Sequence, residues 1–301
     1  MRNSRGQPAI HGHRGARGLY PENTLSAIAG AIDLGCEAVE VDLCVSADDH
    51  LVVVHDPVLS GAKVRGPDGN WIGEEIRVRD LELDDLQSFD VGRLDPSHGY
   101  ASVYPQQKPV DGEIIPTLDE MAELVLGMSP SVVFNLEMKS TPYDPGTMPD
   151  PDHYAGLMVG AINRLGISDR VLLQSFDWRL SQAVVSRIDL LGVAVTTDQQ
   201  PDGDPISPVA GHPNLWTGDR DLAEYVNVPE MVASAGVDTW SSNHLDLDEG
   251  LVNRAHELGL LVCAWTVNDE ADIRKMLAIG VDAITTDYPD RAIEIRNELS
   301  G

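Results

Sequence analysis

One phrase recurs along the chain: an apolar-periodic segment closes on glycine, and a short run rich in β-branched residues follows. It stands at Ala31-Ile32-Asp33-Leu34-Gly35 before Ala38-Val39-Glu40-Val41-Asp42. It returns at Leu165-Gly166 before Val171-Leu172-Leu173, at Leu191-Gly192 before Val193-Ala194-Val195, and at Ala235-Gly236 before Val237-Asp238-Thr239-Trp240. Leu258-Gly259 before Leu260-Leu261-Val262 and Ile279-Gly280 before Ala283-Ile284-Thr285 complete the set. Glycine just past a helix takes the left-handed cap without a side-chain penalty. Each phrase therefore reads as a helix-to-strand joint, and repeated joints predict a parallel sheet.

Strands are expected near 9–13, 38–44, 131–137, 171–175, 192–197, 237–241, 260–266 and 283–286. Helices are expected near 23–34, 117–127, 153–165, 178–190, 222–235, 248–258, 269–279 and 289–299. Eight of each predict an α/β fold, a (β/α)8 TIM barrel, with a doubly wound open sheet as the competing arrangement. Residues 1–301 then form a single domain. In the first helix Asn23 is the expected N-cap, ahead of Leu25, Ile28, Ala29 and Ile32 at helical spacing.

Two places break the rhythm. Leu51-Val52-Val53-Val54-His55-Asp56 is a second β run, joined to strand two by the turn Ala47-Asp48-Asp49-His50. Residues 57–112 follow, rich in Gly, Pro, Asp and Ser, with one helix-like patch around Val78–Leu86. This predicts a small inserted subdomain after the second βα region. Asp198–Asp219 and Thr141–Asp152 read as further loops on the same face.

In such a barrel, residues ending strands point into the active face. Strand one ends at His13 and Arg14, strand two carries Glu40 and Asp42, and the extra run ends at His55 and Asp56. Asn135, Glu137 and Lys139 end strand three, and Trp265 ends strand seven. Glu40 and Asp42 are two apart, so both leave one face of their strand, as do Asn135, Glu137 and Lys139. Inward carboxylates are costly unless compensated. Glu40, Asp42 and Glu137 supply the all-oxygen donor set that Ca²⁺ or Mg²⁺ prefers, against the plainer reading of strand-end salt bridges. His13 and His55, on separate strand ends, suit a general acid and base. His11 reads as a core or supporting residue behind them. Gly12 and Gly15 are expected to let the backbone approach substrate.

Arg14 and Lys139 place positive charge in a chain of net charge −28, with 49 acidic residues against 21 basic. That calls for an anionic substrate, and a phosphate fits both side chains. The overall charge disfavours nucleic acid and anionic membranes as partners. No window reaches the roughly 18 apolar residues of a spanning helix, so no stable membrane insertion is expected. The first ten residues hold no apolar signal region, which reads as cytoplasmic. Cys36, Cys44 and Cys263 lie in apolar segments and read as buried thiols. Trp265 is either core or a wall against the substrate's alcohol.

Nine motifs then stand in order: His13-Arg14-Gly15, Pro21-Glu22-Asn23-Thr24, Glu40-Val41-Asp42, Val54-His55-Asp56-Pro57, Ile115-Pro116-Thr117-Leu118, Asn135-Leu136-Glu137-Met138-Lys139, Gln174-Ser175-Phe176, Trp265-Thr266-Val267-Asn268 and Thr286-Asp287-Tyr288-Pro289. Together, from about residue 9 to 293, they resemble the glycerophosphodiester phosphodiesterase family. The resemblance implies a barrel phosphodiesterase with an insertion after the His-Asp motif. It implies Ca²⁺ or Mg²⁺ on Glu40, Asp42 and Glu137, His13 and His55 as the acid–base pair, and Arg14 and Lys139 on the phosphate. The expected reaction releases an alcohol and sn-glycerol 3-phosphate from a small glycerophosphodiester. The competing readings are a lysophospholipase D-like enzyme acting on lipid, and a non-catalytic binding module. With only three phenylalanines in the chain and a polar insertion, no apolar rim for lipid is evident, and a binding module would be expected to have lost one of these groups. Glu22 and Asn135 are the expected supporting residues, with His11.

Overall fold

The computed structural model describes residues 2–3, 5–201, 206 and 214–299. Eight parallel strands close on themselves among these residues: β1 (Ala9–Gly12), β2 (Ala38–Val45), β3 (Val133–Met138), β4 (Val171–Ser175), β5 (Gly192–Thr197), β6 (Thr239–Asn243), β7 (Leu261–Trp265) and β8 (Ala283–Thr286). Each strand pairs with the next in the chain. Closure comes where His11 aligns with Ala38 of β2 on one side and with Thr285 of β8 on the other. The barrel rather than the open sheet is therefore the fold. The outer layer is α1 (Leu25–Leu34), α2 (Leu118–Met128), α3 (Pro151–Leu165), α4 (Trp178–Val185), α5 (Val228–Ala233), α6 (Glu249–Glu257), α7 (Glu270–Ile279) and α8 (Pro289–Glu298).

The period of two on β2 sorts its side chains. Val39, Val41 and Leu43 are fully buried and join the apolar core beneath the helices. Glu40 and Asp42 alternate with them and face the barrel interior. The register sets Glu40 beside Asn135 and Asp42 beside Glu137. Helix α2 starts on a full capping box, in which the Thr117 hydroxyl accepts from Glu120 N and the Glu120 carboxylate returns to the Thr117 backbone.

Several boundaries differ from the expectation. Gly35, Gly166 and Gly280 are left-handed caps as anticipated. Gly192 is not: it opens β5, because α4 already ends at Val185, six residues short of that glycine. Helix α5 starts only at Val228, since Pro229 belongs in the first turn and disfavours helix before it. Asn23 is not the cap of α1. Thr24 is, accepting from Ala27 N, while Asn23 takes a left-handed φ of 58°.

The run Leu51–Val53 pairs antiparallel with β2, as the turn implied. Residues 57–112 hold a two-stranded ribbon of Val58–Leu59 and Ile76–Arg77, a turn of 3-10 helix at Val78–Asp80 and a short helix at Leu83–Leu86. A second short helix, Gly99–Val103, has no apolar period to announce it. Thr141–Asp152 bridges β3 and α3 as a loop that runs into the first residues of the helix. Half of Asp198–Asp219 lies outside the described residues. No described helix is long and apolar enough to cross a membrane. The three cysteines are buried free thiols.

Candidate active site

The loop after β1 is pinned before any side chain is considered. Arg14 has a φ of 50° and donates its backbone N–H to Glu40 Oε2 at 2.8 Å. Two non-glycine residues in left-handed conformation, Arg14 and Asn23, cost about 1–3 kcal/mol each and persist where surrounding bonds hold them. Asn23 donates to Asp42 Oδ2 at 2.9 Å and accepts from Asp42 N at 3.3 Å. Gly15 is also left-handed, with a φ of 82°, and a Cβ there would meet the Ala27 backbone at 2.5 Å. A Cβ on Gly12 would meet Gly15 O at 2.1 Å. Packing of the loop on itself and on α1, not approach to a substrate, thus requires these two glycines.

The carboxylates of Glu40, Asp42 and Glu137 gather as their spacing implied. All three are buried, and one oxygen from each lies within 4.8 Å of the others. Burial, then the neighbouring charges of Asp42 and Glu137, hold Glu40 well above the usual carboxylate range. Burial also raises Glu137, against the pull of Lys139. Asp42 goes the other way: His55, Arg14 and Lys139 outweigh its burial and lower it. Crowding that drives a carboxyl to keep its proton is what a divalent cation relieves. The trio could hold such an ion, and its oxygen donors suit a hard one.

Cations sit among these acids. Lys139 Nζ lies 2.7 Å from Glu137 Oε1 and 3.6 Å from Asp42. Arg14 donates to Glu22 Oε1 at 2.9 Å, and its Nε, 3.3 Å from Asp42 Oδ2, makes no aligned hydrogen bond. Glu22, expected as a supporting residue, lies bonded to Arg14.

His13 and His55 face the same cavity of about 160 Å³, with Arg14, Arg17, Glu40, Glu137, Lys139, Gln174, Phe176, Thr196 and Trp265. His13 Nδ1 lies 2.7 Å from Asp287 Oδ1, and His55 Nδ1 lies 2.5 Å from Asp56 Oδ1. Burial lowers both imidazoles to about 4; Arg17 assists at His13, and Arg14 with Lys139 at His55. The Trp265 ring meets Phe176 edge to face at 5.3 Å, and its buried Nε1 has no hydrogen-bond partner among the described residues. His11 is set apart. It is buried 3.3 Å from Asn135, is lowered to about 3 by burial, and lines the cavity at the opposite end of the barrel.

Other residues take part beyond those with an expected role. Asp56 and Asp287 belong to the His-Asp and Thr-Asp motifs, where each follows directly on its neighbour at a strand end. Asn23 serves the site and not the helix cap, and Phe176 joins Trp265 at the cavity. Lys63, bonded to Glu22 and Asp56, and Tyr100, bonded to Glu22, come from the insertion, where no periodicity marks them.

An eight-stranded barrel whose open end unites three acids, three cations and two aspartate-bound histidines defines a hydrolase built for an anionic ester. The chain belongs to the glycerophosphoryl diester phosphodiesterase family, whose family model matches residues 13–291, and it is an enzyme of that family. A glycerophosphodiester phosphodiesterase of Bacillus altitudinis is 30% identical over 298 residues, covering 96% of this chain and 98% of the relative. A crystal structure from Silicibacter pomeroyi, of a presumptive glycerophosphoryl diester phosphodiesterase, is 33% identical with a TM-score of 0.86, covering 97% and 94% of the two chains. An Oleispira antarctica phosphodiesterase, solved with its product sn-glycerol-3-phosphate, shares the fold at 22% identity, with a TM-score of 0.69 and 97% of each chain covered.

Proposed function

We propose that the protein hydrolyses a small glycerophosphodiester to an alcohol and sn-glycerol 3-phosphate, with His13 as general base and His55 as general acid. One observation supports choosing this pair: each histidine binds its own aspartate through Nδ1, and both line one cavity. With Nδ1–H donated to Asp287, His13 Nε2 is unprotonated and can take a proton. The attacking oxygen, from water or from the neighbouring hydroxyl of the glycerol, gives its proton there in either route. Negative charge on the arriving phosphate favours the protonated form of His55, which then supplies the proton to the leaving alcohol.

Glu40, Asp42 and Glu137 would hold a divalent cation, Ca²⁺ or Mg²⁺. Once bound, the ion supplies electrophilic stabilisation of a phosphate oxygen. Arg14 and Lys139 bind and orient the phosphate, and Trp265 with Phe176 walls the alcohol. Asn135 and His11 support the strands beneath. The chain acts as one domain, with 57–112 as a subdomain inserted into it. The net charge of −28 supports a small diester over nucleic acid or an anionic bilayer. Unpaired buried thiols suit work in the cytoplasm.

The test is release of sn-glycerol 3-phosphate from glycerophosphocholine, glycerophosphoethanolamine and glycerophosphoglycerol, with a lysolipid alongside, under Ca²⁺, Mg²⁺ and chelator. Turnover of the small diesters that chelation abolishes is expected. Activity surviving thorough chelation removes the metal, and preference for the lysolipid replaces the substrate class. His13→Ala and His55→Ala should each lower kcat by about a hundredfold to ten-thousandfold with the fold intact. Near-native rates in both variants would sink the acid–base assignment.

A further inference from the structure

We infer that Lys63 and Tyr100, both from the inserted segment, are positioning residues that join the two histidine–aspartate pairs into one hydrogen-bonded chain. The inference rests on the acid–base reading proposed above and names what keeps that pair in register.

The chain can be followed atom by atom. From His55, Asp56 Oδ1 takes the ring at 2.5 Å, and Asp56 Oδ2 is ion-paired to Lys63 Nζ. Lys63 donates onward to Glu22 Oε1 at 2.9 Å. Glu22 Oε2 accepts from the Tyr100 hydroxyl at 2.5 Å, and that hydroxyl accepts in turn from Arg17 at 3.2 Å. Arg17 grips both oxygens of Asp287, at 2.8 and 3.0 Å, and Asp287 holds His13 at 2.7 Å. Apart from the neutral Tyr100, acids and bases alternate in sign along the path. Burial works against the charge on Glu22, yet Lys63, Arg14 and Arg17 hold its carboxyl well below the usual range. In surroundings this dry, each such bond is stronger than at a surface, and its neighbours polarise it further.

Neither Lys63 nor Tyr100 lines the 160 Å³ cavity, so both act through the residues they hold. Lys63 matters most. Asp56 is 35% exposed, and among the described residues its side chain pairs with His55 and Lys63. Without Lys63 the carboxylate keeps, among the described residues, no side-chain partner but His55, and the His55 ring loses its aim. Tyr100 governs the other arm by linking Glu22 to Arg17, which holds Asp287 and through it His13. The insertion is tied down where this requires it: Gln107 donates to Arg17 O at 2.8 Å, and Lys108 N to Leu19 O at 2.9 Å.

Aim of the acid can be separated from plain stability by the leaving group. An alkyl alcohol such as choline must be protonated as it leaves, whereas p-nitrophenolate departs without a proton. Kinetics of Lys63→Met, Lys63→Arg, Tyr100→Phe and His55→Ala would therefore be compared on glycerophosphocholine and on glycerophospho-p-nitrophenol. His55→Ala should lose far more on choline than on nitrophenol. Lys63→Met should copy that pattern at a smaller scale, losing about tenfold to a hundredfold in kcat on glycerophosphocholine, the scale of an outer hydrogen-bond partner, with KM little changed. Lys63→Arg should restore most of the rate, because a guanidinium also bridges two carboxylates. Tyr100→Phe removes one hydroxyl, keeps the fold, and should slow both esters alike through Arg17, Asp287 and His13. Lys63→Met with native kinetics, or with an equal loss on both esters, overturns the role of Lys63 while His55→Ala keeps its signature. A native Tyr100→Phe overturns the role of Tyr100. If His55→Ala itself shows no leaving-group dependence, the acid assignment falls and takes the inference with it.

Discussion

His13 and His55 each give one ring nitrogen to an aspartate, but the two aspartates are anchored in different ways. Asp287 follows β8 directly, is fully buried, and is held by both Arg17 and Asn268 as well as by His13. Its other contacts are backbone: Asp287 N donates to Asn268 Oδ1, and Asp287 O accepts from Gly18 N. Asp56 lies beyond the short run Leu51–Val53, is a third exposed, and pairs beyond His55 with one side chain among the described residues, Lys63. The first pair is built into the barrel wall. The second is assembled from a loop and an insertion. Under the proposed roles, the base is fixed in the wall, and the acid sits on a loop whose aspartate pairs with a lysine of the insertion.

The contrast breaks first, and with the largest effect, at the wall. Asp287→Asn keeps the volume but can leave His13 in the wrong tautomer, which costs about a hundredfold to ten-thousandfold in kcat. It also strips the buried Arg17 of its carboxylate partner, a loss of about 3–5 kcal/mol when one member of a buried pair is removed. Steady-state kinetics and urea unfolding should therefore fall together. A variant that is slow yet as stable as the native enzyme would show that Asp287 is no structural anchor.

Asp56→Asn is the matching change on the loop, and the effect should be smaller. A loss of about tenfold to a hundredfold in kcat is expected, the scale for an outer hydrogen-bond partner. Unfolding midpoints should stay nearly unchanged, because a third of the side chain already meets solvent. Equal destabilisation by the two substitutions would erase the distinction between wall and loop.

Much of this arrangement is written in local sequence. Alternation on β2 and β3 places Glu40, Asp42 and Glu137 on one face, and a strand-end position places His13, Arg14 and Lys139 at the mouth. Both rules need only a period and a boundary. What is not legible depends on conformation or on distant pairing. Asn23 looks like a cap because it precedes a helix, and only its left-handed backbone turns it toward Asp42. Gly192 repeats the joint phrase but begins a strand, because Ser186 turns its hydroxyl back onto Ala183 O at the end of α4. Lys63 and Tyr100 lie in a stretch without period, and their partner Glu22 is 41 and 78 residues away.

The smallest effect is a difference in acid stability between the two rings. Burial holds both imidazoles near 4 in the folded protein, against about 6.5 in the unfolded chain. Between those values the unfolded state binds more protons, so stability falls as pH drops from about 6.5 toward 4. Each ring contributes at most about 3 kcal/mol over that window. The His13 side chain is 12% exposed and that of His55 28%, so solvent relieves the strain of charging more readily at His55. Urea midpoints measured in chelator from pH 7 to 4 should therefore lose more of their acid slope in His13→Gln than in His55→Gln. Equal slopes in the two variants would mean that the loop holds its histidine as firmly as the wall does, and the contrast between wall and loop would have no physical basis.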